Sequence, residues 1–303
     1  MIQVGMDIGG SHFMVCHYKV RDQKLILDSR STCSVNPNWE AERILGVWSE
    51  AISKTISSYV LSNVLGAGMA IPGPSDYYEE IIQIKGVNKY ECLYDMNVKN
   101  ELATWLEMDV SQVRFINDAS VFAIAVSMIG KVKSFDRCLA ITLGTGLIAS
   151  FIVNRKPVFS DPLVPKGGFL YDQSIDGVKA GELFPTKGLL YLYYQVSREF
   201  AANALEIYQL ATDYIKVRET FQLCSRDLGR FLAPFIEEFG AEFLVLGGNI
   251  SNAFENFKEQ LIAELPIAEI HLSGMMDQAD LISGALLMGD EYFGELSDLI
   301  EEM

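Results

Sequence analysis

Histidine is scarce in this sequence and cysteine is never paired. The three histidines (His12, His17, His271) and five cysteines (Cys16, Cys33, Cys92, Cys138, Cys224) lie scattered, with no CxxC or CxC spacing. That excludes a disulfide framework and a zinc site built from neighbouring ligands, and it reads as reduced thiols in a cytoplasmic protein. Positive charge is also short. Against 40 Asp and Glu stand 24 Lys and Arg, a net charge of −16, and no Lys/Arg-rich face could supply the counterion release on which nucleic-acid binding rests. No apolar run reaches the roughly 18 residues needed to span a bilayer, so no membrane partner is expected. The first strand opens almost at Met1, without a basic leader and cleavage site, which argues against export.

What is present is enough apolar residue for two cores. At 303 residues with 50% hydrophobic and 21% charged content, the chain predicts two globular lobes. Residues 2–20 read as two strands around a glycine turn and 24–35 as a third. A helix follows with Ile44, Trp48, Ile52, Ile56 and Val60 on one stripe. Strands at 64–71 and 113–116 flank a short helix at 97–107, and Asn117-Asp118 leads into an apolar helix ended by Gly130. The pattern then restarts: CLAITLGTGLIASFIV (138–153) is again strand, glycine turn and strand. A loop-rich stretch from 155 to 188, helices over 189–239, a strand at 243–246 and a last helix at 279–290 complete it. Overlaying VGMDIGGSHFMVC on AITLGTGLIASFI makes the chain a divergent duplication of one βββ-plus-helices unit, with a cleft between the copies.

Three glycine turns stand at the carboxyl ends of strands: Gly9-Gly10-Ser11, Gly144-Thr145-Gly146 and Gly247-Gly248-Asn249. Ligands of α/β sheets gather at that edge. One Gly-Gly between strands is ordinarily just a turn; three in this order are harder to dismiss. The first offers bare N–H groups and a hydroxyl to phosphate oxygens, with Asp7 able to hold a hydrated magnesium ion beside them. The second offers the same cradle with the Thr145 hydroxyl. The third begins a helix, and glycine there leaves room for a flat adenosine on the backbone. Such amides act locally, while distant carboxylates are screened beyond about 8–10 Å.

With these segments in hand, the sequence resembles the ROK (repressor, open reading frame, kinase) sugar kinases of the actin/hexokinase/Hsp-seventy ATPase superfamily. The matching segments run in family order: DIGGS (7–11), AIPGPSD (70–76), Asn88, INDAS (116–120), LGTG (143–146), LVLGGNIS (244–251) and ISGALLMG (282–289). The resemblance implies an α/β fold of the two-lobed actin-like ATPase (ribonuclease H-like) type, with duplicated βββαβα units and an interlobe cleft. The lobes would divide as 1–117 and 118–303, with the final helix packing back on the first. It further implies ATP and Mg2+ as cofactors, Asp118 as general base, Asn117 and Asn88 on the sugar, and a cytoplasmic homodimer. The local alternative is that Asn117 or Asp118 simply caps the helix that follows.

The match has gaps. The GExGH motif and the zinc-binding cysteine cluster found in many members are absent from PKGGFLYDQS (165–174), so the chain resembles a zinc-free branch with an altered sugar pocket. Glu182, four residues before Thr186, echoes the family's LExxxSG and reads as a sugar-hydroxyl acceptor or as an ordinary surface carboxylate. Tyr171 and Asp172 could replace the lost histidine. His12 could touch a phosphate or be a surface histidine, His17 reads as structural, and the aromatic run 189–195 as core or subunit contact. The leading expectation is an ATP-dependent kinase of a hexose or N-acylhexosamine. A non-catalytic sugar sensor is the rival; a partner-coupled ATPase is a weaker third, since no peptide-binding domain is recognisable.

Overall fold

Alternation explains the first strand. In β1 (Ile2–Ile8), Val4, Met6 and Ile8 are buried in a hydrophobic core, while Gly5 and Asp7 face the other way. A computed structural model describes residues 1–9, 12–57, 63–71, 75–77, 79–86, 89–127, 135–210, 215–267, 269–273, 276–290, 293–294 and 296, without the side chains of 118–120, 123, 127, 276 and 277. The chain divides into two units, Met1–Ala125 with Asp277–Met303, and Val126–Met276. The division therefore falls inside a helix, eight residues beyond the 117/118 boundary expected from sequence.

In the first unit, β1 pairs antiparallel with β2 (His12–Lys19), and β2 with β3 (Lys24–Ser34). Helix α1 (Ala41–Ile56) buries Ile44, Trp48, Ile52 and Ile56, side chains each contributing about 1.5–3 kcal/mol; Val60 lies outside the described residues. Strand β4 (Val64–Ile71) pairs parallel with β1. A ribbon of β5 (Ser75–Asp76) and β6 (Ile81–Ile82) and helix α2 (Val98–Leu106) precede β7 (Val113–Asn117), which pairs parallel with β4 and runs directly into α3 (Asp118–Ser127). The sheet order is β3-β2-β1-β4-β7.

The second unit repeats it. Strands β8 (Arg137–Leu143), β9 (Leu147–Val153) and β10 (Lys156–Val158) form the antiparallel part. A ribbon of β11 (Ser174–Ile175) and β12 (Val178–Lys179) leads to helices α4 (Ala180–Leu183), α5 (Thr186–Ser197), α6 (Ala204–Leu210) and α7 (Ile215–Phe239). Strand β13 (Phe243–Gly247), helix α8 (Lys258–Glu264) and β14 (Ile270–Leu272) close a sheet of order β10-β9-β8-β13-β14. The two orders coincide, which is the duplication read from sequence. Strand β14, three residues long, was not expected. The helix expected right after Gly247-Gly248 is instead a 3-10 run, Asn249–Asn256, before α8.

Helix α9 (Met276–Leu286) packs on the first sheet with almost no gap. A Cβ on Gly5 would lie 1.7 Å from the Leu281 carbonyl oxygen, and one on Gly68 would lie 1.9 Å from that of Gly284. Ser283 Oγ donates to Val121 O at 2.8 Å. Glycine on both strands is what lets the backbones meet. Among the described residues all five cysteines are free, and no helix is long and apolar enough to cross a membrane.

Candidate active site

Parallel pairing sets the first unit's functional edge. The register aligns Asp7 with Ala70 and Ala70 with Ile116, so the turn after β1 and the β7–α3 junction share one end of the sheet. Asn117, closing β7, donates from Nδ2 to the Tyr77 hydroxyl at 2.6 Å. Asp118 is the first residue of α3; its side chain, and Gly10, Ser11 and Asn88 altogether, lie outside the described residues.

The first turn is braced from within its unit. Gly9 N–H donates to His12 O at 3.0 Å, and the Tyr90 hydroxyl donates to Gly9 O at 2.6 Å. Tyr90 is buried against Trp48, which stacks on Phe13; the core thus reaches the turn through one phenol. Burial holds the Tyr90 hydroxyl above its ordinary pKa. Asp7, 14% exposed, lies 3.5 Å from His12 Nε2 and is hydrogen-bonded to the Asp280 side chain. Burial raises its pKa, opposed by the His12 charge and by hydrogen bonds to Asp280 and His12. His12 therefore faces Asp7, and the second acid, from α9, was not anticipated.

The second turn is braced at one point. Thr186, the first residue of α5, donates its N–H (2.8 Å) and its hydroxyl (2.9 Å) to Gly144 O, and Gly144 N–H closes the turn on Gly146 O at 3.0 Å. A Cβ on Gly144 or Gly146 would meet nothing within 4 Å, and neither has a positive φ. Neither packing nor backbone conformation asks for glycine there, whereas a closely approaching ligand would.

The third turn is different again. Gly248 has φ +87°, and its Cβ would sit 2.2 Å from Leu143 O; glycine here is demanded by the end of β8 rather than by room for a ligand. Ser251 ties the turn down, with N–H (3.0 Å) and hydroxyl (2.6 Å) both on Gly248 O. The register sets Gly247 beside Thr142, so the second and third turns share one edge. Asn249 then lines a pocket of about 370 Å3 with Asn203, Asn252, Tyr208, Thr186 and apolar residues. Among the described residues, none that lines it is charged.

Glu182, on α4, does not join that pocket. It lines another, of about 610 Å3, with Lys187, Tyr191 and Asp227. Cys224, also in that wall, has its thiol pushed up to about 12 by burial. Asp172 is committed to Lys179 at 2.7 Å and Tyr171 rests on Phe169. His17 is fully buried in β2, and of the aromatic run Leu189 and Tyr193 are core while Tyr191 is exposed. Among the described residues, no group of three His, Cys, Asp or Glu could hold a metal ion.

The sequence profile of the ROK family matches residues 3–160, just over half of the chain. The chain belongs to the ROK family. An N-acetyl-D-glucosamine kinase of Pectobacterium carotovorum subsp. carotovorum (strain PC1) is 25% identical to this ROK protein over 199 residues, 58% of this chain and 65% of that relative. The matched part thus spans just under two thirds of the relative's length. A ROK glucokinase from Streptomyces griseus, solved with glucose and AMPPNP, is 18% identical with a TM-score of 0.72 over 95% of this chain and 99% of that one. A ROK transcriptional regulator homologous to an E. coli protein is 14% identical with a TM-score of 0.77 over 99% of this chain and 81% of that one. At such identities the likeness carries the fold alone, an α/β fold with two sheets of matching strand order.

Proposed function

We propose that this ROK protein is a sugar kinase, transferring the γ-phosphoryl group of ATP to a hydroxyl of a hexose or N-acylhexosamine. One observation carries the reading: Gly144 and Gly146, free of any steric need to be glycine, stand at the sheet edge shared with Asn249 and a pocket whose described lining is uncharged. That pocket falls within the size range of small-ligand sites and suits a neutral base and ribose better than a polyanion. The glucokinase solved with AMPPNP and glucose, and the N-acetylglucosamine kinase, support donor and acceptor class.

In this reading Gly247, Gly248 and Asn249 border the adenosine, and the amides of Thr145 and Gly146 take phosphate oxygens, as do those of Gly10 and Ser11, while Gly144 and Gly9 spend their own N–H groups closing the two turns. Asp118 accepts the proton as the sugar oxygen attacks the γ-phosphorus and ADP leaves, a reaction promoted mainly by positioning and charge neutralisation. Asn88, Asn117 and Glu182 hold sugar hydroxyls. Asp7 fits a hydrated magnesium ion, being a hard oxygen donor with Asp280 beside it; the ion, when bound, neutralises phosphate charge. The kinase would act in the cytoplasm as a homodimer.

A coupled ADP-release assay against hexoses and N-acetylhexosamines tests the reading. Asp118→Asn should lower kcat by about 10²–10⁴ with nucleotide affinity unchanged; undiminished transfer would remove Asp118 from the mechanism. The regulator's similar fold and the missing GExGH motif favour one second reading, a sugar-binding sensor. Calorimetric sugar binding with no ADP released across the panel would select it.

A further inference from the structure

Thr186 belongs to two features at once. It forms part of the wall of the Asn249 pocket, and its N–H and hydroxyl both end on the Gly144 carbonyl oxygen, at 2.8 and 2.9 Å. A carbonyl oxygen has two lone pairs, and these two donors occupy them. The peptide unit joining Gly144 to Thr145 is planar and trans, so the Thr145 N–H points opposite to the Gly144 C=O. Fixing that carbonyl on the start of α5 therefore turns the Thr145 N–H away from the helix. Among the described residues no acceptor takes this N–H, and a Cβ on either flanking glycine would meet nothing within 4 Å. The result is an oriented, unspent donor at the edge where Asn249 opens its pocket.

We propose that Thr186 is a positioning residue for the phosphoryl donor: by clamping Gly144 O it aims the Thr145 amide at a phosphate oxygen. The inference rests on the kinase reading and goes beyond it in naming the side chain that sets the turn. It also assigns the threonine four residues after Glu182 a role separate from the sugar. The competing role is structural, a threonine that merely stabilises the first turn of α5.

Calorimetric titration of the full chain with adenosine, ADP and AMPPNP separates the two. Thr186→Val keeps the shape and the backbone N–H but removes the hydroxyl. It should weaken ADP and AMPPNP about five- to tenfold, the loss of about one hydrogen bond, and adenosine, which meets Thr186 only as pocket wall, by clearly less; Thr186→Ser should restore both nucleotides. Equal weakening of adenosine and AMPPNP would make Thr186 pocket wall only and overturn the proposal, as would no weakening at all. Should Thr186→Val fail to fold, Thr186→Ala provides the same comparison, and its failure to fold as well would assign the threonine to helix stability. A wild-type chain that binds none of the three overturns the kinase reading itself; wild-type binding indifferent to the substitutions overturns this inference alone.

Discussion

At the end of β1 a Cβ on Gly9 would lie 2.3 Å from the His12 ring, and the Gly9 carbonyl is held by Tyr90; at the end of β8 a Cβ on Gly144 or Gly146 would meet nothing within 4 Å. The sheets around these turns have the same strand order. Duplication has preserved where the chain bends without preserving what holds the bend. The first turn is gripped by its own core through Trp48 and Tyr90, the second is fastened at one carbonyl by Thr186 and is otherwise open. Glycine meets external room at the second turn; at the first it meets only the part-exposed His12 ring, which can swing aside, and true backbone crowding in that sheet lies at Gly5 and Gly68.

Substitutions should separate the two meanings. The largest effect is expected where glycine is crowded by backbone. Gly68→Ala drives a Cβ to 1.9 Å from the Gly284 carbonyl oxygen, a backbone atom that no side-chain rotation can move aside. A loss of about 3 kcal/mol or more is expected in urea unfolding, and a midpoint within error of wild type would refute the close approach. Next comes Gly146→Ala, which should leave stability within about 0.5 kcal/mol while weakening AMPPNP about tenfold. Unchanged affinity with unchanged stability would mean that nothing approaches that turn.

The smallest effect concerns charge at the first turn. Burial raises the folded-state pKa of Asp7 above its ordinary 3.8, so the folded protein binds that proton more tightly than the unfolded chain does. The associated stability is complete below the unfolded-chain pKa and is lost as pH rises through the folded one. Asp7→Asn escapes that loss. In metal-free buffer the variant should melt slightly above wild type at pH 7, with the advantage fading as pH falls towards about 4. A variant less stable than wild type at pH 7 would mean that the His12 and Asp280 contacts outweigh burial.

Much of the frame was legible because it is local. The stripe from Ile44 to Ile56, the two strand–glycine–strand segments and the Asn117-Asp118 junction each declare themselves within one window of sequence, and each lies where periodicity put it. The braces were not legible. Tyr90 reaches Gly9 across 81 positions, Thr186 reaches Gly144 across 42, and Asp280 reaches Asp7 from another element altogether. Such pairings are fixed by packing, which no local pattern encodes. The Gly248 turn was misread for the same reason, since its need for glycine comes from the neighbouring strand end at Leu143. Strand β14 escaped because three residues at a sheet edge are too few to show alternation.

The helix that seals Gly5 and Gly68 comes from beyond the whole second unit in the chain. On the ribosome, the portion emerging first must wait, with Gly5 and Gly68 uncovered, until every residue from 126 to 276 has been translated. The usual rule that the amino-terminal unit finishes folding first is inverted here: the later-born unit can mature while the elder stays incomplete.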